Sequence, residues 1–190
     1  MRTTREQANA TRERIIETAG RLFREKGFDG IGVADLMKGA GLTHGGFYSH
    51  FDSKEDLMAA TCARALDQSL STWQAHIDKE PARALETITR SYLSTRHRDR
   101  PDGTSACVVA ADGTDITRLG ESVRHAATQG IEKQLALLET LVPGRTRAVR
   151  RKRALATYAS LLGGLLLARI VDDPKLSTEV LGSVADTVIA

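Results

Sequence analysis

The stretch that most constrains the fold is residues 41–57, GLTHGGFYSHFDSKEDL, in which two possible helix starts lie close together. Gly41 can end a preceding helix in the left-handed conformation, and Thr43 has the side chain of a helix N-cap. Phe47 and Phe51 are four residues apart and therefore share one face of a short helix. The stretch predicts a short helix that begins directly after a sharp turn.

Two glycines occupy the interior of this predicted helix. Gly45 and Gly46 each cost about 1 kcal/mol of helix stability relative to alanine, which makes sense if something large must approach the backbone closely. The next helix begins at Ser53, which is spaced from Asp56 as in a capping box and is followed by Lys54. Free N–H groups, the helix dipole and a lysine suit a phosphate at that end.

A second short helix is predicted just upstream. Val33, Leu36, Met37 and Ala40 form one apolar stripe of two turns. Two short helices joined by Gly-Leu-Thr have the layout of a helix-turn-helix, whose second helix enters the major groove of DNA.

Residues 12–57 resemble the DNA-binding head of the TetR (tetracycline repressor) family of bacterial regulators. The resemblance covers about a quarter of the chain and rests on the order and spacing of short motifs. These are LF at 22–23, GF at 27–28, GLT at 41–43, FY at 47–48, Phe51 and SKE at 53–55. It implies that Tyr48 and Lys54 touch phosphates. The sequence departs from the family at Gly30 and Gly32, where a Ser or Thr often caps the second helix.

The resemblance also implies that the start of the second short helix faces the bases. The predicted DNA-binding residues are Lys38, Thr43, His44, Gly45, Tyr48, His50 and Lys54.

Composition permits this interpretation without requiring it. With 27 Lys and Arg against 24 Asp and Glu, the net charge of +3 is too small to indicate nucleic acid by itself. No secretory signal is visible, and the longest apolar run, 161–168, is shorter than the roughly 20 residues that span a bilayer. Cys62 and Cys107 are far apart, which favours a cytoplasmic protein with reduced thiols.

The sequence offers no catalytic motif. It lacks a GxSxG, a Walker-type loop, an HExxH and a cluster of carboxylates, and its two cysteines and five histidines never group at metal-ligand spacing. We therefore predict no enzymatic activity, no metal and no cofactor.

The rest of the chain is predicted to be helical. Residues 1–10 are polar and are expected to be frayed, and a strong amphipathic helix runs from Thr11 to Lys26. A long helix from Ser53 links head and body, 96–104 is predicted to be a loop, and another long helix spans 115–141. The prediction is an all-α protein of about nine helices. Its three-helix DNA-binding head covers residues 1–52, and a ligand-binding and dimerisation bundle covers 53–190.

Residues 145–153, RTRAVRRKR, hold six basic residues in nine. They could bind nucleic acid non-specifically, which would make the chain a general basic nucleic-acid-binding protein. The favoured alternative is the solvated start of a helix, paired with acidic neighbours.

The last two helices carry wide apolar faces that would suit a four-helix dimer interface, as the family resemblance also implies. The alternative is that they close the core of a monomer. The predicted interface residues are Leu162, Gly163, Leu166, Leu167, Ile170, Leu181, Val184 and Val188.

The resemblance further implies a small-molecule effector that binds in the body and releases the dimer from a palindromic operator, giving a repressor. Candidate lining residues lie on inward stripes, although each alone is more commonly ordinary core. They are Trp73, Tyr92, Cys107, His125, Gln129, Tyr158 and Leu162. Cys107 also follows a loop rich in Arg and His, and nearby cations favour the reactive thiolate, so a redox- or electrophile-sensing repressor is the alternative function.

Overall fold

The computed structural model describes residues 4–99, 109 and 115–190, and Cys107 therefore lies outside the described residues. The described chain is helical and contains no strand, which confirms the predicted all-α class. Two 3-10 segments, His44–Ser49 and Pro81–Arg83, accompany the α-helices. The helices are α1 (Arg5–Lys26), α2 (Val33–Gly39), α3 (Lys54–Lys79), α4 (Ala84–Tyr92), α5 (Thr95–Arg98), α6 (Glu121–Leu141), α7 (Arg147–Ile170) and α8 (Pro174–Ile189).

The first helix begins earlier than predicted. Thr4 is its N-cap and forms a reciprocal capping box with Gln7, so the polar residues expected to be frayed are helical from Arg5 onward. The helix ends as predicted at Gly27, whose φ of 74° is in the left-handed region. The expectation for 1–10 was therefore wrong from Arg5 onward, because apolar periodicity does not report a cap followed by a polar first turn.

Two hydrophobic clusters share the long helix α3. Its first half contributes Leu57 and Leu66 to a cluster that contains the buried faces of α1 and α2. Its second half contributes Trp73 to a cluster built with α4, α6, α7 and α8. One continuous helix therefore belongs to both clusters.

The predicted helix over 115–141 is interrupted. Its regular part begins at Glu121, with Gly120 as N-cap, and 117–119 form a turn. A Cβ on Gly120 would lie 2.0 Å from Oε1 of Glu55, so the turn brings the start of α6 against the start of α3. Further along, a Cβ on Gly130 would lie 2.5 Å from Cδ1 of Leu66, because α3 and α6 cross closely there.

The predicted loop over 96–104 is also partly wrong. Ser94 caps the one-turn helix α5 by accepting a hydrogen bond from the backbone N–H of His97. The guanidinium of Arg169 donates to the carbonyl oxygens of His97 and Arg98, which fastens this turn to the end of α7. A tertiary contact therefore stabilises a turn whose own composition favours a loop.

The helix α7 has two apolar faces. Ala154, Leu161 and Leu165 are buried against the body, whereas the opposite face is exposed. It is the one helix of the described chain that is long and apolar enough, by length and composition, to cross a membrane. Burial of one face within the protein is typical of a core helix.

Candidate functional site

The turn between α2 and the 3-10 helix is a Schellman motif. Gly41 has a φ of 70°. The N–H of Leu42 donates to the carbonyl oxygen of Met37 at 2.8 Å, and the N–H of Gly41 donates to the carbonyl oxygen of Lys38 at 3.0 Å. As predicted, a left-handed glycine ends α2. The following helix, His44–Ser49, packs back on the head through the buried Phe47.

The predicted N-cap at Thr43 is only partly correct. Thr43 occupies the cap position with extended backbone, but its side chain makes no capping hydrogen bond. The carbonyl of Thr43 already accepts from the N–H of Gly46 at 3.1 Å, in the tighter 3-10 pattern. That N–H is one that a capping side chain would have used, and the Thr43 side chain remains exposed.

The inner face of the 3-10 helix is aromatic. Phe47 and Phe51 are fully buried, and their ring centroids lie 5.7 Å apart in a stacked arrangement. The guanidinium of Arg12 lies over the Phe51 ring at 4.7 Å, which ties α1 to the end of this segment. The predicted shared face of the two phenylalanines is therefore the base that holds the helix in place.

The outer face of the same helix is open. Tyr48 is 66% exposed, and its ring meets that of His44 edge-on at 6.3 Å. Gly45 is exposed, and a Cβ built on it would meet no atom within 4 Å. Lys38 is exposed at the end of α2, and His50 is half-buried. A surface with two rings, a bare backbone and a cation nearby is suited to a duplex.

Lys54 has a structural contact that the sequence did not indicate. Its Nζ donates to the carbonyl oxygen of Phe28 at 2.6 Å, so it joins the start of α3 to the turn after α1. Ser53 caps α3 as predicted, accepting from the N–H of Asp56 at 3.1 Å. The Asp56 carboxylate accepts from the N–H of Asp52, one residue before the position of a standard capping box.

In the body, three of the candidate pocket residues lie together. Trp73, Tyr92 and Tyr158 are buried, and the Trp73 ring lies 6.2 Å from each tyrosine ring. His125 and Gln129 instead form an exposed pair whose side-chain nitrogens are 2.8 Å apart. The structure therefore places those two on the surface of α6, away from the aromatic cluster, and Leu162 is half-buried.

Sequence reasoning missed Gln134, which is fully buried beside this cluster. Its Oε1 accepts a hydrogen bond from the Tyr158 hydroxyl at 2.7 Å. The available signal was its position three residues after Ile131 and four before Leu138, on a stripe that is otherwise apolar. A polar residue on such a stripe marks either a buried hydrogen bond or a site.

The predicted interface residues divide into two groups. Gly163, Leu166, Leu167 and Ile170 are exposed on the outer face of α7, with Ile170 69% exposed. Leu181 is 3% exposed and belongs to the core of the chain itself. The half-buried residues Leu162, Val184 and Val188 lie between these extremes.

The basic run at the start of α7 is largely paired. Arg151 bonds to the carboxylates of Glu132 and Glu139, and these hydrogen bonds raise the pKa of its guanidinium. Arg150 and Arg153 donate to the carbonyl oxygens of residues 144 and 143. These contacts match the interpretation of a solvated helix start with acidic neighbours.

Comparisons with known proteins agree with this geometry. Residues 15–61 match the bacterial regulatory proteins of the tetR family. The transcriptional repressor NemR of Escherichia coli K12 is 28% identical over 168 residues, which cover 84% of each chain. The regulator TtgR of Pseudomonas putida is 42% identical over 60 residues, 32% of this chain and 29% of that protein.

Solved structures share the fold. The reduced form of E. coli NemR has a TM-score of 0.79 at 24% identity, covering 94% of this chain and 96% of that one. A TetR-family regulator from Cytophaga hutchinsonii has a TM-score of 0.78 at 20% identity, covering 99% and 96%. The matched segment holds the turn at Gly41 and the exposed helix that follows it. Residues 15–61 are a DNA-binding domain of the tetR family, and this chain is a DNA-binding transcriptional regulator.

Proposed function

We propose that the protein is a cytoplasmic, dimeric repressor that occupies a palindromic operator and is released when a small molecule binds in its body. The observation that carries the proposal is the exposed face of His44, Gly45 and Tyr48 above a base of buried phenylalanines. A rigid base matters because contacts to bases require a fixed side-chain geometry.

Each exposed group on this face has a role that its chemistry supports. Thr43 and His44 can hydrogen-bond base edges, and Gly45 lets the backbone approach the groove floor. Tyr48, Lys38 and His50 are placed to contact phosphates. Lys54 has three donors and gives one to Phe28, which leaves others for a phosphate at the start of α3.

A second copy of the chain would cover the outer face of α7. A single helix-turn-helix head buries little surface, whereas a two-fold dimer places two heads about 34–36 Å apart in successive major grooves. The exposed residues 163, 166, 167 and 170 form the proposed contact, whereas Leu181 is buried in the core of the chain itself. In this arrangement residues 1–52 bind DNA, and 53–190 dimerise and bind the effector.

The effector site is proposed at the aromatic cluster of Trp73, Tyr92 and Tyr158. A ligand there would press on the second half of α3, whose first half belongs to the head cluster. Because α3 is one continuous helix, such a displacement changes the distance between the two heads of a dimer. Effector and operator then favour different spacings and bind in competition.

A thiol switch is the second candidate function. The similar repressor NemR has a solved structure described as its reduced form, and Cys107 of this chain follows a segment rich in Arg and His. Cations near a thiol favour the thiolate. In the Cys107→Ser protein, release of operator DNA by hydrogen peroxide should be lost. Release that is unchanged from the unsubstituted protein would eliminate this candidate.

Selection of bound fragments from a random DNA pool tests the main proposal. A repressor should enrich an inverted repeat and bind it about 10³-fold or more tightly than unrelated DNA. A general basic nucleic-acid binder should instead enrich no sequence and show affinity that falls steeply with salt on every DNA. Recovery of such uniform binding would contradict the proposed operator.

A further inference from the structure

The proposed effector site holds a buried hydrogen-bond donor that has no partner among the described residues. Gln134 is 0% exposed, and its Nε2 makes no hydrogen bond within the part of the chain that the structure describes. A buried polar group left unpaired costs free energy that an apolar residue of similar size would not. Gln134 lies on the core-facing stripe of α6, between Ile131 and Leu138. The neighbouring positions of that stripe are apolar, so an apolar residue would be expected at position 134 as well.

The orientation of the Gln134 amide is set by the hydrogen bond that its carbonyl oxygen accepts. The Tyr158 hydroxyl donates to Oε1 at 2.7 Å, so the oxygen is occupied and the NH₂ group is the end that remains. Tyr158 in turn packs edge-on against Trp73. The donor is therefore held by a chain of contacts that runs directly into the aromatic cluster.

We propose that the effector is a small, uncharged molecule with an apolar body and one hydrogen-bond acceptor, such as a carbonyl oxygen, which accepts a hydrogen bond from Nε2 of Gln134. This inference rests on the proposed function, because it specifies the chemistry of the ligand that the body binds. The apolar body packs on the Trp73 and Tyr158 rings.

The burial of Gln134 restricts the ligand in two ways. A molecule that reaches a fully buried amide lies inside the core, where a net charge without a partner would be strongly disfavoured. The ligand also replaces packing contacts among aromatic and aliphatic side chains, so most of its surface must be apolar. The ligand needs a hydrogen-bond acceptor only where it meets Nε2 of Gln134. The presence of that acceptor therefore distinguishes molecules that should bind tightly from apolar molecules of the same shape.

Matched pairs of probes test this chemistry in the full-length protein. Acetophenone with α-methylstyrene, and cyclohexanone with methylenecyclohexane, differ by a carbonyl oxygen in place of a methylene group. Each ketone should bind about fivefold more tightly than its hydrocarbon partner, the value of one net hydrogen bond. Gln134→Met, which keeps the volume and removes the donor, is made in a Tyr158→Phe background so that no tyrosine hydroxyl is freed to replace the amide. In that protein both members of a pair should bind equally, whereas Tyr158→Phe alone should keep the preference for the ketone.

Two further measurements separate a ligand contact from a merely structural role. Without ligand, Gln134→Met should raise the Tm of the Tyr158→Phe protein by about 2–4 °C, because an unpaired buried donor is removed and no hydroxyl loses its acceptor. Ketone binding should shift the side-chain NMR signals of the Gln134 amide, which are identified by their loss in Gln134→Met. The control Gln68→Met, at an exposed position of α3, should change neither Tm nor the preference.

The proposal is overturned if no ketone binds better than its hydrocarbon partner, including the case in which no probe binds. A lower Tm for Gln134→Met in the Tyr158→Phe background than for Tyr158→Phe alone would also overturn it. None of these measurements uses DNA, so they are independent of the operator experiment. Failure to select an inverted repeat would refute the repressor proposal without affecting the ketone preference.

Discussion

The hydroxyl of Ser122 donates to Oε1 of Glu55 at 2.5 Å, which joins the first turn of α6 to the first turn of α3. Glu55 directly follows Lys54, the residue that holds α3 to the turn after α1. The start of α6 is thus attached to the point where the long linking helix leaves the head. The body and the head are therefore joined by this contact as well as by α3.

Removing this contact should lower stability modestly. Ser122→Ala and Glu55→Ala should each reduce the free energy of unfolding by about 1 kcal/mol, because each leaves a single hydrogen bond unmade. The double variant should lose less than the sum, with a coupling of at least about 0.5 kcal/mol in urea unfolding. Ser71→Ala, which removes only a bond within α3, serves as the control. Additive losses would show that the two side chains do not interact.

Gly130→Ala should destabilise the protein by about 1–3 kcal/mol, because the new methyl group would collide with Leu66. Gly182→Ala is a matched control on an exposed part of α8, where a Cβ meets no atom within 4 Å. That change should stabilise by about 0.5–1 kcal/mol through helix propensity. Thermal unfolding checks both, and equal effects of the two substitutions would contradict the close crossing of α3 and α6.

Gly45→Ala should have opposite effects on folding and on DNA binding. Open space surrounds the position, so alanine should raise the free energy of unfolding by about 0.5–1 kcal/mol. The same methyl group should weaken operator binding, since the proposed duplex approaches the backbone at this glycine. Calorimetry and a binding titration check the two signs. Unchanged affinity would place Gly45 outside the interface.

Tyr48→Phe and His44→Ala should weaken DNA binding in different ways. Loss of the Tyr48 hydroxyl should reduce affinity for all sequences by a similar factor, as expected for a phosphate contact. Loss of the His44 ring should cost about 1–3 kcal/mol on the operator and relax selection at one or two base pairs. Titrations on the operator and on single-base variants distinguish them. An equal loss on every sequence after His44→Ala would argue against base reading.

Ile170→Ser and Leu181→Ala should separate dimerisation from folding. Ile170 is 69% exposed, so serine should weaken the dimer with little effect on monomer unfolding. Leu181 is in the core, and alanine there should cost about 2–5 kcal/mol of unfolding free energy. Sedimentation and chemical unfolding measure the two quantities. A dimer unaffected by Ile170→Ser would move the proposed interface elsewhere.

Features that depend on neighbouring residues in the chain were predictable. The left-handed turn at Gly41, the cap at Ser53 and the buried pair Phe47 and Phe51 follow from glycine stereochemistry, capping and helical spacing. The prediction was wrong where a cap or a distant partner decided the structure. Thr4 starts α1 early, and Arg169 holds a helical turn where composition favours a loop.

The candidate site was predicted in the same uneven way. The outward face of the 3-10 helix His44–Ser49 was predictable from helical spacing, which separates His44, Gly45 and Tyr48 from the buried Phe47. The body could not, because His125 and Gln134 both lie on α6, and only the rotation of that helix against α7 decides which of them is buried. The hydrogen bond from Lys54 to the Phe28 carbonyl oxygen joins residues 26 positions apart, so it too could not be predicted from local sequence.

The sequence by itself determined the all-helical class, the helix-turn-helix and the residues that its exposed face presents, because these depend on contacts within a few turns. Only the tertiary structure decided which apolar face of α7 is buried and that Leu181 belongs to the core. It also decided that the Gln134 NH₂ group lies beside an aromatic cluster with no partner among the described residues. The physical reason is that both faces of α7 are apolar, so helical periodicity identifies stripes without specifying which neighbour covers each of them.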